Sequence, residues 1–233
     1  MSLPLPEALD AEIGAFVLAG GRSSRMGRDK ALIQLQGAPL IQHALEILRA
    51  AGLNPRIAGG NEELHSFAPV IPDNIENAGL GPLSGICSAL AAASAHYNLF
   101  LPVDLPLIPP RLISYLIHHA KIVQSTVTVV SVAGFIQTFP AVIDRSAAQS
   151  LNASLHSSDR KCLKAFQLAA EAAAVPLAVL PIELFIQAGQ IPRCEGQPPS
   201  QWFLNINTLS DLEAAKSFHM IVNPGSSPAA ARP

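Results

Sequence analysis

The stretch Ala15-Phe16-Val17-Leu18-Ala19-Gly20-Gly21-Arg22-Ser23-Ser24-Arg25-Met26-Gly27-Arg28-Asp29-Lys30 decides how the chain is read. Ala15 to Leu18 is a short apolar run of the kind buried on both faces of a parallel sheet. It leads into Gly20-Gly21, and four cations then fall within the nine residues from Arg22 to Lys30. Glycines let a backbone approach a polyphosphate and offer N–H donors, while Arg and Lys neutralise phosphate oxygens. The stretch therefore reads as a phosphate cradle at the C-terminal end of a strand, where ligands of open α/β sheets sit. A Walker loop is excluded, because Gly27 is followed by Arg28 and Asp29 rather than by Lys and Ser or Thr. A dinucleotide fingerprint is excluded by the glycine spacing. The plain alternative is a solvated basic turn.

These cations stand out because the rest of the chain is poor in charge. Of 233 residues, 49% are hydrophobic and only 14% charged, enough apolar material for a buried core and too much for disorder. Lys and Arg number 15 against 17 Asp and Glu, a net charge of -2, which argues against a protein that coats nucleic acid. Mean hydropathy is +0.33. The longest apolar stretches, Leu99 to Pro110 and Leu168 to Ile186, are broken by Asp104, Glu171, Glu183 and prolines, so neither provides the roughly 20 apolar residues of a spanning helix. Met1 to Glu12 carries Glu7, Asp10 and Glu12 and no basic residue, unlike a secretory signal, so the expected location is cytoplasmic. Cys87, Cys162 and Cys194 are widely spaced and form no C-x-x-C pair, against a disulfide framework or a cysteine zinc site.

Outward from the cradle, short β-type runs alternate with helical ones, the pattern of a three-layer α/β/α fold around a mostly parallel twisted sheet. Pro39 to Ala51 has helical apolar spacing, with proline at its start and Gly52 at its end. Arg56 to Ala58 and Pro69 to Ile71 are short strand candidates. Gly81-Pro82 opens a helix through Ala95, Asn98 to Val103 is a central strand ending at Asp104, and Pro109-Pro110 starts a helix to about Ala120. Thr126 to Val132, Phe139 to Ile143 and Ala178 to Leu180 read as strands, Ser146 to Leu151 and Lys161 to Ala174 as helices. Phe203-Leu204-Asn205-Ile206 reads as a late strand, and Thr208 starts a last helix to about His219. The expected organisation is one domain over residues 1–222 and a disordered tail over 223–233.

The second informative segment is Leu99-Phe100-Leu101-Pro102-Val103-Asp104-Leu105-Pro106. A carboxylate at the end of an apolar strand, fixed between prolines, is placed to face the cradle. Mg²⁺ typically takes one or two carboxylates and completes its shell with substrate phosphates and water. Asp104 is too far from Pro109 to cap the helix that follows.

Together these segments resemble the molybdenum cofactor guanylyltransferase (MobA) family, Rossmann-like nucleotidyltransferases of GT-A-like fold. The resemblance runs from about Ile13 to Phe218. It rests on Leu18-Ala19-Gly20-Gly21 with Arg25-Met26-Gly27 and Asp29-Lys30; on Pro72-Asp73 followed by Gly81-Pro82-Leu83-Ser84-Gly85; on Pro102 to Pro106; and on Phe203-Leu204-Asn205-Ile206-Asn207-Thr208. It implies transfer of GMP from GTP to molybdopterin, or Mo-molybdopterin, with release of pyrophosphate. By position it implies that Leu18, Ala19, Gly20, Gly21 and Lys30 contact GTP, that Asp73 lies against the nucleoside, that Asp104 touches GTP and Mg²⁺, and that Asn205 and Asn207 handle the pterin. Molybdoenzyme-maturation proteins become candidate partners. The Leu-Ala-Gly-Gly start favours guanine, since related cytidylyltransferases usually begin Leu-Ala-Ala-Gly. The chain departs from the pattern at Gly59, where relatives often have asparagine although Asn61 stands two positions on, and before Pro140, where a common histidine is Phe139.

The chemistry of two reacting anions needs charge neutralisation and in-line positioning more than a base. Lys30 and Arg25 would bind phosphate oxygens, with Mg²⁺ on Asp104. A phosphate monoester, with a second pKa of about 6, is already ionised near neutral pH, so no general base is named. A sister cytidylyltransferase and a catalytically silent nucleotide-binding protein are the competing readings. Other features have ordinary alternatives. Asp29 could orient Lys30 through an ion pair. Thr208 and Asp211 have capping-box spacing. Asn205 and Asn207 share a face of a strand or form a hydrogen-bonded turn. Gly81 and Gly85 allow close approach to the nucleotide or serve packing, and Arg160-Lys161 reads as a phosphate site or an exposed loop. His118-His119 lacks the i, i+4 spacing of a metal pair.

Overall fold

The computed structural model describes residues 13–19, 29–74, 77, 79–157, 159–191 and 198–218. In the first half lie β1 (Ile13–Leu18), the small hairpin β2 (Gln34–Leu35) and β3 (Ala38–Pro39), α1 (Leu40–Ala50), β4 (Arg56–Ala58), β5 (Val70–Ile71), α2 (Pro82–Ala92) and β6 (Tyr97–Pro102). Then come α3 (Pro110–Val123), β7 (Val127–Val132), β8 (Phe135–Asp144), α4 (Ala148–Leu155), α5 (Cys162–Ala172), β9 (Ala178–Pro181), α6 (Ile182–Gln187) and α7 (Leu209–Lys216). The central sheet has seven strands in the order β5-β4-β1-β6-β8-β7-β9. Strand β8 is antiparallel to β6 and β7, and every other neighbouring pair is parallel. The chain leaves β1 toward β4 and β5 on one side and returns as β6 on the other. The crevice between the C-terminal ends of β1 and β6 is therefore the topological switch point of the sheet, where open α/β folds take their ligands.

Period-two alternation along the strands divides the core into two layers. Ala15 and Val17 of β1 face one core with α1, α3 and Leu99 and Leu101 of β6. Phe16 and Leu18 face the other, with α2, α4, α5 and Phe100. The Phe16 and Phe100 rings stack across the pair with centroids 5.3 Å apart. Both faces of β1 and β6 are covered, so these strands read as continuous apolar runs rather than alternating ones. No helix among the described residues is long and apolar enough to cross a membrane.

Local signals explain most of the boundaries. Pro39 precedes α1 in extended conformation, and Gly52, at φ 81, lets the chain leave it. Helix α2 begins at Gly81, whose φ of 89 suits glycine, with Pro82 in its first turn. It ends at Ala92 rather than Ala95: Ala93 is extended, and the carbonyls of Ala95 and His96 accept from Asn98 Nδ2 at 3.2 and 3.4 Å. Helix α4 starts later and runs further than the Ser146–Leu151 expected, because Asp144 first caps a 3-10 turn over Arg145–Ala147. The run Phe139 to Ile143 is part of a longer strand that forms a hairpin with β7 through Ala133-Gly134, both at positive φ.

The late strand expected at Phe203–Ile206 is absent. Pro199–Phe203 forms a 3-10 turn that buries Trp202 and Phe203, and residues 204–207 follow with no strand pairing. The last helix ends at Lys216; His219, the expected tail and Cys194 lie outside the described residues.

Gly14 lies opposite Asn98 in the β1/β6 ladder. A Cβ on Gly14 would collide with Asn98 Oδ1 and come within 2.9 Å of Phe16 Cε2. Asn98 is fully buried and held by its Nδ2 bonds, so it cannot swing away. Gly14→Ala is expected to lower unfolding stability by about 1–3 kcal/mol in urea titrations. Adding Asn98→Ala should recover part of that loss, and an additive double mutant would refute the clash.

Candidate active site

Four strand ends converge at the switch point. The ladder continues past β1, where Val103 N–H donates to Leu18 O at 3.1 Å and Ala19 N–H to Ala58 O at 3.1 Å. Gly59 N–H in turn donates to Ile71 O at 2.9 Å. Leu18-Ala19, Gly59-Gly60, Pro72-Asp73 and Val103-Asp104 thus share one rim. A Cβ on Gly60, at φ 91, would collide with Leu64 Cδ1 and lie 3.5 Å from Ala19 Cβ, so glycine keeps the second loop tight against the first.

Lys30 and Asp104 meet across this rim. Lys30 Nζ donates to Asp104 Oδ2 at 2.7 Å and to Asn207 Oδ1 at 2.7 Å. The lysine and aspartate side chains are 20% and 21% exposed, so the pair is partly dried yet reachable from solvent. Three of the residues singled out in the sequence are brought together here. Gly20, Gly21 and Arg25 lie outside the described residues.

Each member of the cluster is locally fixed. Lys30 starts a 3-10 turn, Lys30–Leu32, whose N-cap is Asp29. Asp29 makes no ion pair with Lys30, one of the roles open to it: its Oδ1 accepts from Ala31 N–H at 2.9 Å and its Oδ2 from Asn61 Nδ2 at 2.9 Å. Capping the turn and anchoring it to the Gly59-Gly60 loop leaves the ammonium free to reach Asp104. Asn61 is committed at both ends, because its Oδ1 also accepts from Glu63 N–H at 3.0 Å.

On the far side, Ile206 N–H donates to Asp104 O at 3.0 Å, seating residues 204–207 on the aspartate. The capping box read from Thr208 and Asp211 is present. Asp211 Oδ2 accepts from Asn207 N–H at 2.9 Å and Thr208 N–H at 2.8 Å. The other end of α7 is held where Gln36, in the β2–β3 turn, donates through Nε2 to Phe218 O at 2.8 Å. Ile206 is buried between exposed Asn205 and Asn207, and none of the three is on a strand. Among the described residues Asn205 makes no hydrogen bond to the cluster.

Asp73, just past β5, belongs to the same rim. Burial pushes its carboxyl above the ordinary range, and the neighbouring Ser84 hydroxyl offsets part of that rise. Neither Asp73 Oδ1 nor Ser84 Oγ completes a hydrogen bond of good geometry, so both remain as polar atoms at the start of α2. A Cβ on Gly85 would make ordinary contacts with Leu18 Cδ2 at 3.5 Å and Asp73 Oδ1 at 3.7 Å, so α2 packs closely on the strand ends.

Among the described residues no three His, Cys, Asp or Glu side chains converge in a metal cage. The partly exposed Asp104 carboxylate, facing Lys30, has the chemistry that suits a hard divalent cation arriving with phosphate ligands.

Residues 15–173 match the model of the MobA-like NTP transferase domain. The chain belongs to the MobA-like NTP transferase family. A Rhizobium meliloti protein named molybdenum cofactor guanylyltransferase is 31% identical over 212 residues, covering 88% of this chain and 90% of that protein. One of the same name from Xanthomonas euvesicatoria is 45% identical over 103 residues, 43% of this chain and 51% of that protein. The crystal structure of molybdopterin-guanine dinucleotide biosynthesis protein A from Archaeoglobus fulgidus superposes with a TM-score of 0.68 at 21% identity, covering 88% and 97% of the two chains. A Mycobacterium tuberculosis protein solved with manganese has a TM-score of 0.60 at 18% identity over 88% and 98%. These structural likenesses establish the nucleotidyltransferase fold, as the sequence led us to expect.

The Lys30–Asn207 contact, which reaches past the residues matched to the MobA-like model, was not foreseen. Its two ends are 177 residues apart, and no local pattern links them.

Hydrogen bonds from the Asn207 backbone, then Thr208, hold the Asp211 carboxyl below the ordinary carboxylate range, with the Lys30 charge adding to them. A carboxyl lowered on folding contributes stability above its unfolded value of about 3.9 and loses it as pH falls through the folded value. Asp211→Asn is expected to be less stable than wild type at pH 7, and the gap should narrow toward pH 3 in urea unfolding. A gap independent of pH would contradict the charged cap.

Proposed function

We propose that this protein transfers GMP from GTP to molybdopterin, forming molybdopterin guanine dinucleotide and releasing pyrophosphate. The observation that carries this reading is the Lys30–Asp104 contact of 2.7 Å at the switch point, a cation and a carboxylate joined past the C-terminal ends of β1 and β6. Family membership supplies the reaction class, and the names of the bacterial relatives supply the guanylyl donor and the pterin acceptor.

In the reaction, a phosphate oxygen of the pterin attacks the α-phosphorus of GTP, and the bond from that phosphorus to the β-phosphate oxygen breaks. The incoming phosphate is already ionised near neutral pH, so no side chain has to remove its proton. Lys30 and Arg25 bind non-bridging and leaving-group oxygens and offset the charge of two anions drawn together. Leu18, Ala19, Gly20 and Gly21 line the triphosphate with backbone N–H groups. Asp73 takes the nucleoside, an assignment supported by its unsatisfied buried oxygen. Asp104 is the residue that would hold Mg²⁺, which supplies further charge neutralisation at the reacting phosphates. Asn205, exposed beside the cluster, and Asn207 face the pterin side. Guanine is preferred over cytosine on the Leu18-Ala19-Gly20-Gly21 start. The catalytic unit is one domain over residues 1–222, working in the cytoplasm with molybdoenzyme-maturation proteins as candidate partners.

The test is incubation of the protein with molybdopterin and α-labelled GTP or CTP, followed by identification of the dinucleotide. GMP transfer is expected; CMP transfer without GMP transfer would replace this reading with the cytidylyl one, and neither product would favour a silent binding protein. Lys30→Ala should cost about 3 kcal/mol of transition-state stabilisation, roughly a hundredfold in kcat/KM, with the fold intact by circular dichroism.

A further inference from the structure

The ion pair at the centre of the site also obstructs it. Asp104 is the carboxylate assigned to the divalent cation, yet its Oδ2 is already taken by Lys30 Nζ. A metal ion and an ammonium cannot share that oxygen without two positive charges standing within a few ångströms of each other, where repulsion weakens both contacts. Asn207 reinforces the lysine's position. Its Oδ1 accepts from the same Nζ, its own N–H is anchored on Asp211, and the preceding Ile206 N–H is bonded to Asp104 O. The amide oxygen is thus aimed at the ammonium by a backbone clamped on both sides. It restrains a side chain that would otherwise keep substantial rotamer freedom.

We propose that Lys30, held on Asp104 by Asn207, closes the carboxylate to a free divalent cation and releases it only when a triphosphate offers the ammonium other oxygens, so that metal enters with the nucleotide and not before it. This rests on the assignment of Asp104 to the metal. An ammonium has three donors, and among the described residues Asp104 and Asn207 engage two of them. The third is available for an approaching phosphate oxygen, after which Lys30 exchanges Asp104 for phosphate while keeping Asn207 as its pivot. Asn207 is in this respect a positioning residue that acts through Lys30.

The experiment is titration of the full chain with Mn²⁺ in the absence of nucleotide, read from the electron paramagnetic resonance signal of free Mn²⁺. Wild type should bind weakly. Lys30→Met should bind at least about tenfold tighter, and Asn207→Ala should bind tighter by a smaller factor. Adding Asp104→Asn to Lys30→Met should abolish the gain. Merely structural damage would weaken metal binding, whereas the competition tightens it, and Lys30→Gln provides a second neutral variant should the methionine form fail to fold. Equal Mn²⁺ affinity in wild type and both neutral variants, with binding lost in Asp104→Asn, would overturn the competition while leaving the metal assignment standing. Mn²⁺ binding that is indifferent to Asp104→Asn, with GTP present as well as without it, would overturn the assignment and the competition together.

Discussion

An ammonium and a carboxylate 74 residues apart in sequence meet at 2.7 Å over the crevice between β1 and β6. For this to happen the two strands must pair with Leu18 opposite Pro102, the turn at Lys30 must be capped, and residues 204–207 must seat on Asp104. Exposed ion pairs are worth about 0–1 kcal/mol, and drying them costs more as they are buried, so a pair about one-fifth exposed adds little to stability. Its consequence is placement. It fixes a positive and a negative group at the point where the strand order reverses.

Much of this was legible because it is written locally. The apolar run before Gly20, the proline before α1 and the glycine after it, the aspartate that follows β6 and the Thr208–Asp211 spacing each carry a short-range physical cause. What escaped reading depends on distant partners. Phe203-Leu204-Asn205-Ile206 has the alternation of a strand, but no neighbouring strand takes it up. Pro198-Pro199 instead starts a turn that buries Trp202. Asp29 stands next to Lys30 in sequence, which made a mutual ion pair plausible. Its oxygens go instead to Ala31 and to Asn61, the latter 32 residues away. The reversal at Ala133-Gly134 carries only a single glycine as a signal, so the antiparallel course of β8 was not apparent.

The two sides of the sheet divide the work. At the N-terminal ends of the strands, Gly14 makes room for the buried Asn98 side chain, a packing requirement with no chemistry attached. At the C-terminal ends, Gly59, Gly60 and Gly81 take positive φ beside the unsatisfied oxygens of Asp73 and Ser84. The departure at Gly59 falls within this group. Asn61, two positions on, has both ends of its amide occupied, Nδ2 on Asp29 and Oδ1 on Glu63 N–H.

The most direct measurement is a crystal structure of the protein with GTP and Mg²⁺. The account predicts the triphosphate between the glycine turn and Asp104, metal on the Asp104 carboxylate, and Lys30 Nζ moved from that carboxylate to a phosphate oxygen while still bonded to Asn207. A triphosphate bound elsewhere, with the Lys30–Asp104 contact undisturbed, would contradict it.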